Sequence, residues 1–419
     1  MSWTVADQAL SSCGNLLVTI IVASQVSAPS FGFFAVAIYI YVAAVGLCRA
    51  VTSEPLMIGF TTVDSATRAT ATSAACGTSL VVGIAAAVPV AGVGLLVHSE
   101  LQASLFALGL VLPALLLQDT WRFAFFAAGR PARAAANDLI WTGASAFMLL
   151  LFVENGRDAP SELLLVWGAT GAVAAVVGAV QARTLPRPVK ARDWLRSQRR
   201  LAGRLGADFV VDTGSRQLAV LAVGLLSGVT AVGAVRGAQV FLGPLTTLDL
   251  AVRALAVPEA ARLHRHSRLA ARRLFVALGA ILAVGALVWG IGGLVIPDKI
   301  GHALLGASWE KTQDVIPAMA FLVAGNGATT GAVAGLRMLG AAGRLLLVRV
   351  IIAPCYLAGS VVGAALGGAS GAVMGQGLVA WAGIPLWWVG YLREDADRHV
   401  AEGGAPRELN ESPPPVADR

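Results

Sequence analysis

The chain has 419 residues, of which 57% are hydrophobic and only 13% charged, and its mean hydropathy is +0.73. Soluble domains carry about 25% charged residues, so the composition excludes an ordinary soluble protein and points to an integral membrane protein. The formal charge of +7 would suit a nucleic-acid partner, but the charges lie in alternate loops, which argues against one.

Apolar stretches of roughly 17–25 residues can cross a bilayer. Twelve are predicted, near 8–26, 32–51, 74–97, 101–121, 134–153, 162–182, 205–226, 229–251, 274–296, 315–336, 345–366 and 371–392. The N-terminus has no basic stretch or cleavage site before span 1, which reads as an uncleaved helix. Cys13, Cys48, Cys76 and Cys355 are isolated, so neither a disulfide framework nor a metal site is predicted.

Basic residues cluster after the even-numbered spans: Arg49 and Arg68, then Arg122, Arg130 and Arg133, then eight between Arg183 and Arg204. Six more arginines lie between Arg253 and Arg273, and Arg337, Arg344 and Arg349 follow span 10. The other loops hold only Arg157, Lys299 and Lys311. This asymmetry puts both termini on the cytoplasmic side of the plasma (inner) membrane. The predicted organisation is a six-helix lobe at 1–184, a basic cytoplasmic linker at 185–204, a second six-helix lobe at 205–392 and a disordered cytoplasmic tail at 393–419. Arg192–Arg204 reads as a short basic helix on the membrane surface. The tail, ending in Glu411-Ser-Pro-Pro-Pro-Val, is too polar to pack.

Span 7 contains Asp208-Phe-Val-Val-Asp212-Thr-Gly-Ser-Arg216. Asp208, Asp212 and Arg216 stand at i, i+4 and i+8 and share one helical face. Charges at membrane depth are costly unless they face protein or water, so this stripe is a candidate functional site. Subtracting 201 places Asp208 on Asp7, Asp212 on Ser11, Ser215 on Gly14, Arg216 on Asn15 and Gly233 on Gly32. Spans 1 and 7 therefore carry polar faces in one register, as expected of a transporter with two related halves around a cavity.

Several motifs occur in order along the chain. Asn15 to Val26 is followed by Ser27-Ala-Pro-Ser-Phe-Gly32-Phe-Phe-Ala; Val232-Gly-Ala-Val-Arg-Gly-Ala-Gln239 is followed by Pro258-Glu-Ala. Gly306-Ala-Ser-Trp309 precedes span 10, and Gly368 to Ala372 forms the last turn. Together they resemble the polysaccharide flippases of the multidrug/oligosaccharidyl-lipid/polysaccharide (MOP) exporter superfamily. The resemblance implies an all-α polytopic membrane protein, about twelve transmembrane helices in two six-helix lobes, with spans 1 and 7 lining the cleft. It implies translocation of a lipid-linked oligosaccharide or polysaccharide precursor, among membrane lipids, with polysaccharide polymerase and glycosyltransferases as candidate partners. The family's common Tyr after the span 8 glycine is absent here, where the chain reads Gly233-Ala-Val-Arg236.

The diphosphate of such a cargo favours arginines in a water-filled cleft. Arg216 lies roughly 15 Å below the outer end of span 7 and Arg236 roughly 10 Å into span 8. These two, with Asn15, are the candidate substrate-binding residues. The structural alternatives are an Asp212–Arg216 pair that neutralises itself, an Arg236 that snorkels to the outer interface, and asparagines that only join helices. Asp208 and Asp212 are candidates for ion coupling or for charge compensation. Arg49, Arg122 and Arg253 read as interface anchors paired with Glu54, Asp119 and Asp249.

No catalytic residue, metal site or cofactor is predicted, and no GxxxxGK[ST] loop for ATP occurs. The rival readings are a cation-coupled multidrug exporter of the same superfamily and a transport-inactive scaffold for envelope polysaccharide synthesis. A major-facilitator transporter and a membrane glycosyltransferase rank lower. The first lacks its basic span 2–3 loop, and the second lacks acidic residues in the first outward loop.

Overall fold

The computed structural model describes the backbone of residues 2–403 and their side chains from Gly14 on, except those at 250, 251, 253–256, 258, 265 and 401–403. No strand occurs among the described residues. Nine of their helices are long and apolar enough to cross a membrane. One of these, Ala342–Gly403, is two spans joined through the non-helical Gly367 and Gly368. Span 1, Ser2–Gln25, has an apolar part at Gly14–Gln25, and span 8 is broken at Leu242 into Val229–Phe241 and Gly243–His266. The total is the expected twelve.

The turns follow from their residues. Ser27 accepts a hydrogen bond from the Ser30 amide at 3.3 Å, and Asp64 from the Ala66 and Thr67 amides at 2.9 and 3.0 Å, capping spans 2 and 3. The hydrogen bonds from Thr67 and Ala66 hold the Asp64 carboxyl below its ordinary range. Gly228 between spans 7 and 8 has φ +83°, and Gly368 between spans 11 and 12 has φ +59°, backbone that glycine adopts without Cβ strain.

Spans 1 and 3–6 pack chiefly among themselves, with span 4 against spans 3 and 6 and span 1 against span 5; in the second half span 10 packs on spans 8, 9, 11 and 12. Small residues let the helices approach closely. Spans 11 and 12 meet at Gly359 and Gly375, where a Cβ at Gly359 would lie 2.8 Å from the facing carbonyl oxygen. Trp121, Trp309 and Tyr391 are fully buried.

The halves meet where the repeat aligns them. Span 2 packs on span 8, and a Cβ on Gly233 would lie 3.2 Å from the Gly32 Cα. The matched glycines thus face each other. Beside them Gly306, in the turn before span 10, approaches the Ala23 and Ser24 carbonyls at the end of span 1, within 2.7 and 2.8 Å of where its Cβ would be.

Three expectations need correction. The basic segment is not a separate surface helix: Ala191–Phe209 runs through Val210–Gly214 into Ser215–Ser227, so it extends span 7. It is docked on the first half, with Trp194 buried against Phe60 and its indole N–H donating to the Val51 carbonyl at 2.9 Å. Trp194 finds a partner there, while the arginines of the segment remain exposed.

The chain from 393 also differs from the disorder expected of it. Span 12 stays helical to Gly403, because Asp395 (1% exposed) is clasped by Arg268 at 2.9 Å and Arg272 at 3.2 Å. Residues 404–419 lie outside the described part.

Arg122 is not an interface anchor. It is buried 3.2 Å from Asp138 of span 5, which Gln118 also holds at 2.9 Å. Arg49 pairs with Asp119 as expected, through bonds of 2.8 and 2.6 Å. The Arg253 side chain lies outside the described set.

Candidate functional site

Two adjoining chambers lie among spans 1, 2, 6, 7, 8, 10, 11 and 12. The first, about 660 Å³, is bounded by both halves, by Asn15 and Thr19 of span 1, Tyr41 of span 2, and Arg216, Gln217 and Arg236 opposite. The second, about 430 Å³, lies within the second half and is bordered by Asp212, Asp249, Arg337, Arg349 and Trp387. Arg216, Thr246, Asn326 and Tyr356 line both.

All three candidate substrate contacts, Asn15, Arg216 and Arg236, thus border the first chamber. Arg236 does not snorkel outward; it turns in and donates to Thr19 Oγ1 at 3.2 Å. Its Nε is buried without a hydrogen-bond partner, as is Gln217 Oε1. A buried polar atom left unpaired costs about 1–3 kcal/mol, so a side-chain shift that brought either atom to a ligand would recover that cost. Among the described residues no carboxylate lines this chamber. The side chains of Asp7 and Ser11 lie outside the described set.

Span 7 changes its winding at the charged stripe. Val210–Gly214 form a π-helical turn, which carries one more residue per turn than an α-helix permits. The Ser215 hydroxyl donates to the Val211 carbonyl at 2.7 Å, within the wider turn. The strict i, i+4, i+8 face is thereby altered, and the charges are brought together by another helix.

That helix is span 11. Arg349, 9% exposed, bonds to Asp208 and lies 3.4 Å from Asp212, while Arg216 lies 3.5 Å from Asp212. Two aspartates and two arginines form one chain of charges. Arg216 also lies over the Tyr356 ring, 5.1 Å from its centroid, and the Tyr356 hydroxyl donates to Asn326 Oδ1 at 2.8 Å. Asn326 therefore joins spans 10 and 11 and faces both chambers.

Arg349, Arg337, Tyr356 and Gln217 were not singled out by the sequence. Arg349 was assigned to the loop after span 10 although it falls inside the 345–366 apolar stretch; that depth was the missed signal.

This is the fold of MOP-superfamily transporters. A multidrug resistance MATE family transporter in an inward-facing conformation superposes with TM-score 0.68 at 11% identity, over 93% of this chain and 96% of that one. The lipid II flippase MurJ, in an inward closed conformation, gives 0.65 at 9% identity, over 94% and 90%. An outward-facing MATE transporter gives 0.56 at 10% identity, over 94% of each. No family model and no curated protein matches the chain.

Proposed function

We propose that the chain is a transporter that carries an anionic, lipid-linked oligosaccharide or polysaccharide precursor across the plasma membrane by alternating access. The observation that carries this is the first chamber: two arginines, an unpartnered guanidinium nitrogen and no described carboxylate, between two halves of a twelve-helix fold. Among the described residues no carboxylate pairs with Arg236, and Arg216 shares Asp212 with Arg349, so the cations facing this chamber favour an anion, and a guanidinium matches a phosphate oxygen pair. The lipid tail stays in the bilayer while the head group occupies the chamber. Rocking of one half against the other then presents it to each side in turn. The MurJ likeness supports a lipid-linked cargo. Asp208 and Asp212, each within ion-pair distance of Arg349, serve in this reading as charge compensation for the two arginines.

The test is binding of a polyprenyl diphosphate lipid to purified protein in nanodiscs. Saturable binding is expected, weakened at least tenfold (about 1.4 kcal/mol) in Arg236→Gln. Equal affinity of wild type, Arg236→Gln and Arg216→Gln would overturn the assignment.

The arginine asymmetry of the loops supports a cytoplasmic side for both termini and the basic segment. A cysteine introduced as Leu195→Cys is expected to resist a membrane-impermeant thiol reagent added to intact cells and to react once the membrane is opened. Ready modification from outside would reverse the topology.

A further inference from the structure

We propose that the second chamber is a saccharide pocket, which receives the first sugar units of the cargo while the phosphate stays with Arg216 and Arg236. The proposal rests on the lipid-linked reading and assigns a separate task to a separate cavity.

Apart from Arg216, which also faces the first chamber, the charged groups of this chamber are already partnered. Asp212 lies between Arg349 and Arg216, Asp249 accepts a hydrogen bond from Thr330 at 2.9 Å, and Arg337 is likewise engaged. Where charges are partnered in this way, a second anion gains little, and a neutral polar ligand meets no bare charge to desolvate.

Hydroxyl chemistry points the same way. Ser215 gives its proton to the Val211 carbonyl at 2.7 Å, Thr246 to Gly243 at 2.8 Å and Thr329 to Asn326 at 2.8 Å. Their donors are spent on the backbone, so these hydroxyls present acceptor lone pairs. Asn326 is the complement. The Tyr356 hydroxyl occupies its amide oxygen, leaving the amide hydrogens to donate.

A ligand suited to this wall brings many hydroxyl donors and a few acceptors, as a sugar does. Trp387 adds an aromatic ring against which an apolar sugar face can lie. The volume of about 430 Å³ falls in the usual small-ligand range of roughly 300–1,000 Å³, enough for a mono- or disaccharide.

The chambers also adjoin in the right order. Arg216, Thr246, Asn326 and Tyr356 border both, so a phosphate on Arg216 stands beside the second chamber. The glycosidic carbon attached to that phosphate would be the first atom across.

The experiment compares three probes: polyprenyl diphosphate, the same lipid carrying a disaccharide, and the free disaccharide. Wild type is expected to bind the glycosylated lipid about tenfold more tightly than the bare one, the yield of one or two net hydrogen bonds. Ala353→Phe, which fills the second chamber without removing a polar contact, should abolish that difference and leave bare-lipid affinity unchanged. Thr329→Val, a milder change of similar shape, should reduce it.

Equal binding of both lipids by wild type, or an undiminished difference in a folded Ala353→Phe protein, would overturn the saccharide pocket. If Ala353→Phe fails to fold, the Thr329→Val difference decides, and an unchanged value counts against the proposal. Failure of both lipids to bind wild type would overturn the lipid-linked reading instead. The pocket would then survive only if free disaccharide binds wild type and not Ala353→Phe.

Discussion

Export by an Arg216→Ala variant is expected to fall to background while the protein still reaches the membrane at close to the wild-type level. The separation of the two effects follows from what Arg216 touches. Its side chain is 46% exposed, toward the chambers, and its bond to Asp212 is long at 3.5 Å, so its loss costs stability on the order of 1 kcal/mol or less. Asp212 is not left unpaired, since Arg349 remains 3.4 Å away. What disappears is the cation shared by both chambers. Arg216→Lys should restore only part of the activity, because a point charge replaces a planar fork.

The control is Asp212→Asn with Arg216→Gln, which leaves the Arg349–Asp208 pair intact. Full export by that double variant in a complementation assay would show that Arg216 merely neutralises Asp212.

The largest effect on stability is expected at Arg122. Arg122 and Asp138 are 7% and 5% exposed and 3.2 Å apart, between spans 4 and 5. Arg122→Leu leaves the buried Asp138 carboxylate without this cation and should cost about 3–5 kcal/mol, seen as a lower unfolding temperature in detergent and a lower membrane level. The second change Asp138→Leu should recover most of the loss, since the pair together stabilises little beyond an apolar replacement. An unaltered unfolding temperature in the single variant would mean that water reaches the carboxylate.

The twelve spans were legible in the sequence because a bilayer imposes length and hydropathy on every crossing. The polar face of span 7 was legible for a related reason: charge at that depth is rare. Direction was less so. Arg236 lies at a depth compatible with either the outer interface or the cavity, and only the helix's orientation about its axis separates the two. Arg349 was hidden by the rule that reads arginines near span ends as topology signals. Asp138 sits in the first turns of span 5, close to loop arginines, where a carboxylate is unremarked. The tail beyond 393 looks unable to pack by composition, yet one buried aspartate between two arginines holds its helix to the neighbouring hairpin. No hydropathy window reports a single long-range contact.

The π-helical turn at Val210–Gly214 has a consequence for how this molecule can change over generations. Such a turn is one residue inserted into an α-helix, so a single codon separates it from the regular form. Loss of that codon would close the turn into regular α-helix, and because the wider turn takes up its extra residue locally, Ser215–Ser227 with Arg216 would keep their direction while Trp194 and the basic segment kept their seat on the first half. The length of span 7 can thus change by one residue without re-aiming the side chain that borders both chambers. Comparison of aligned residues alone would record that step as a gap.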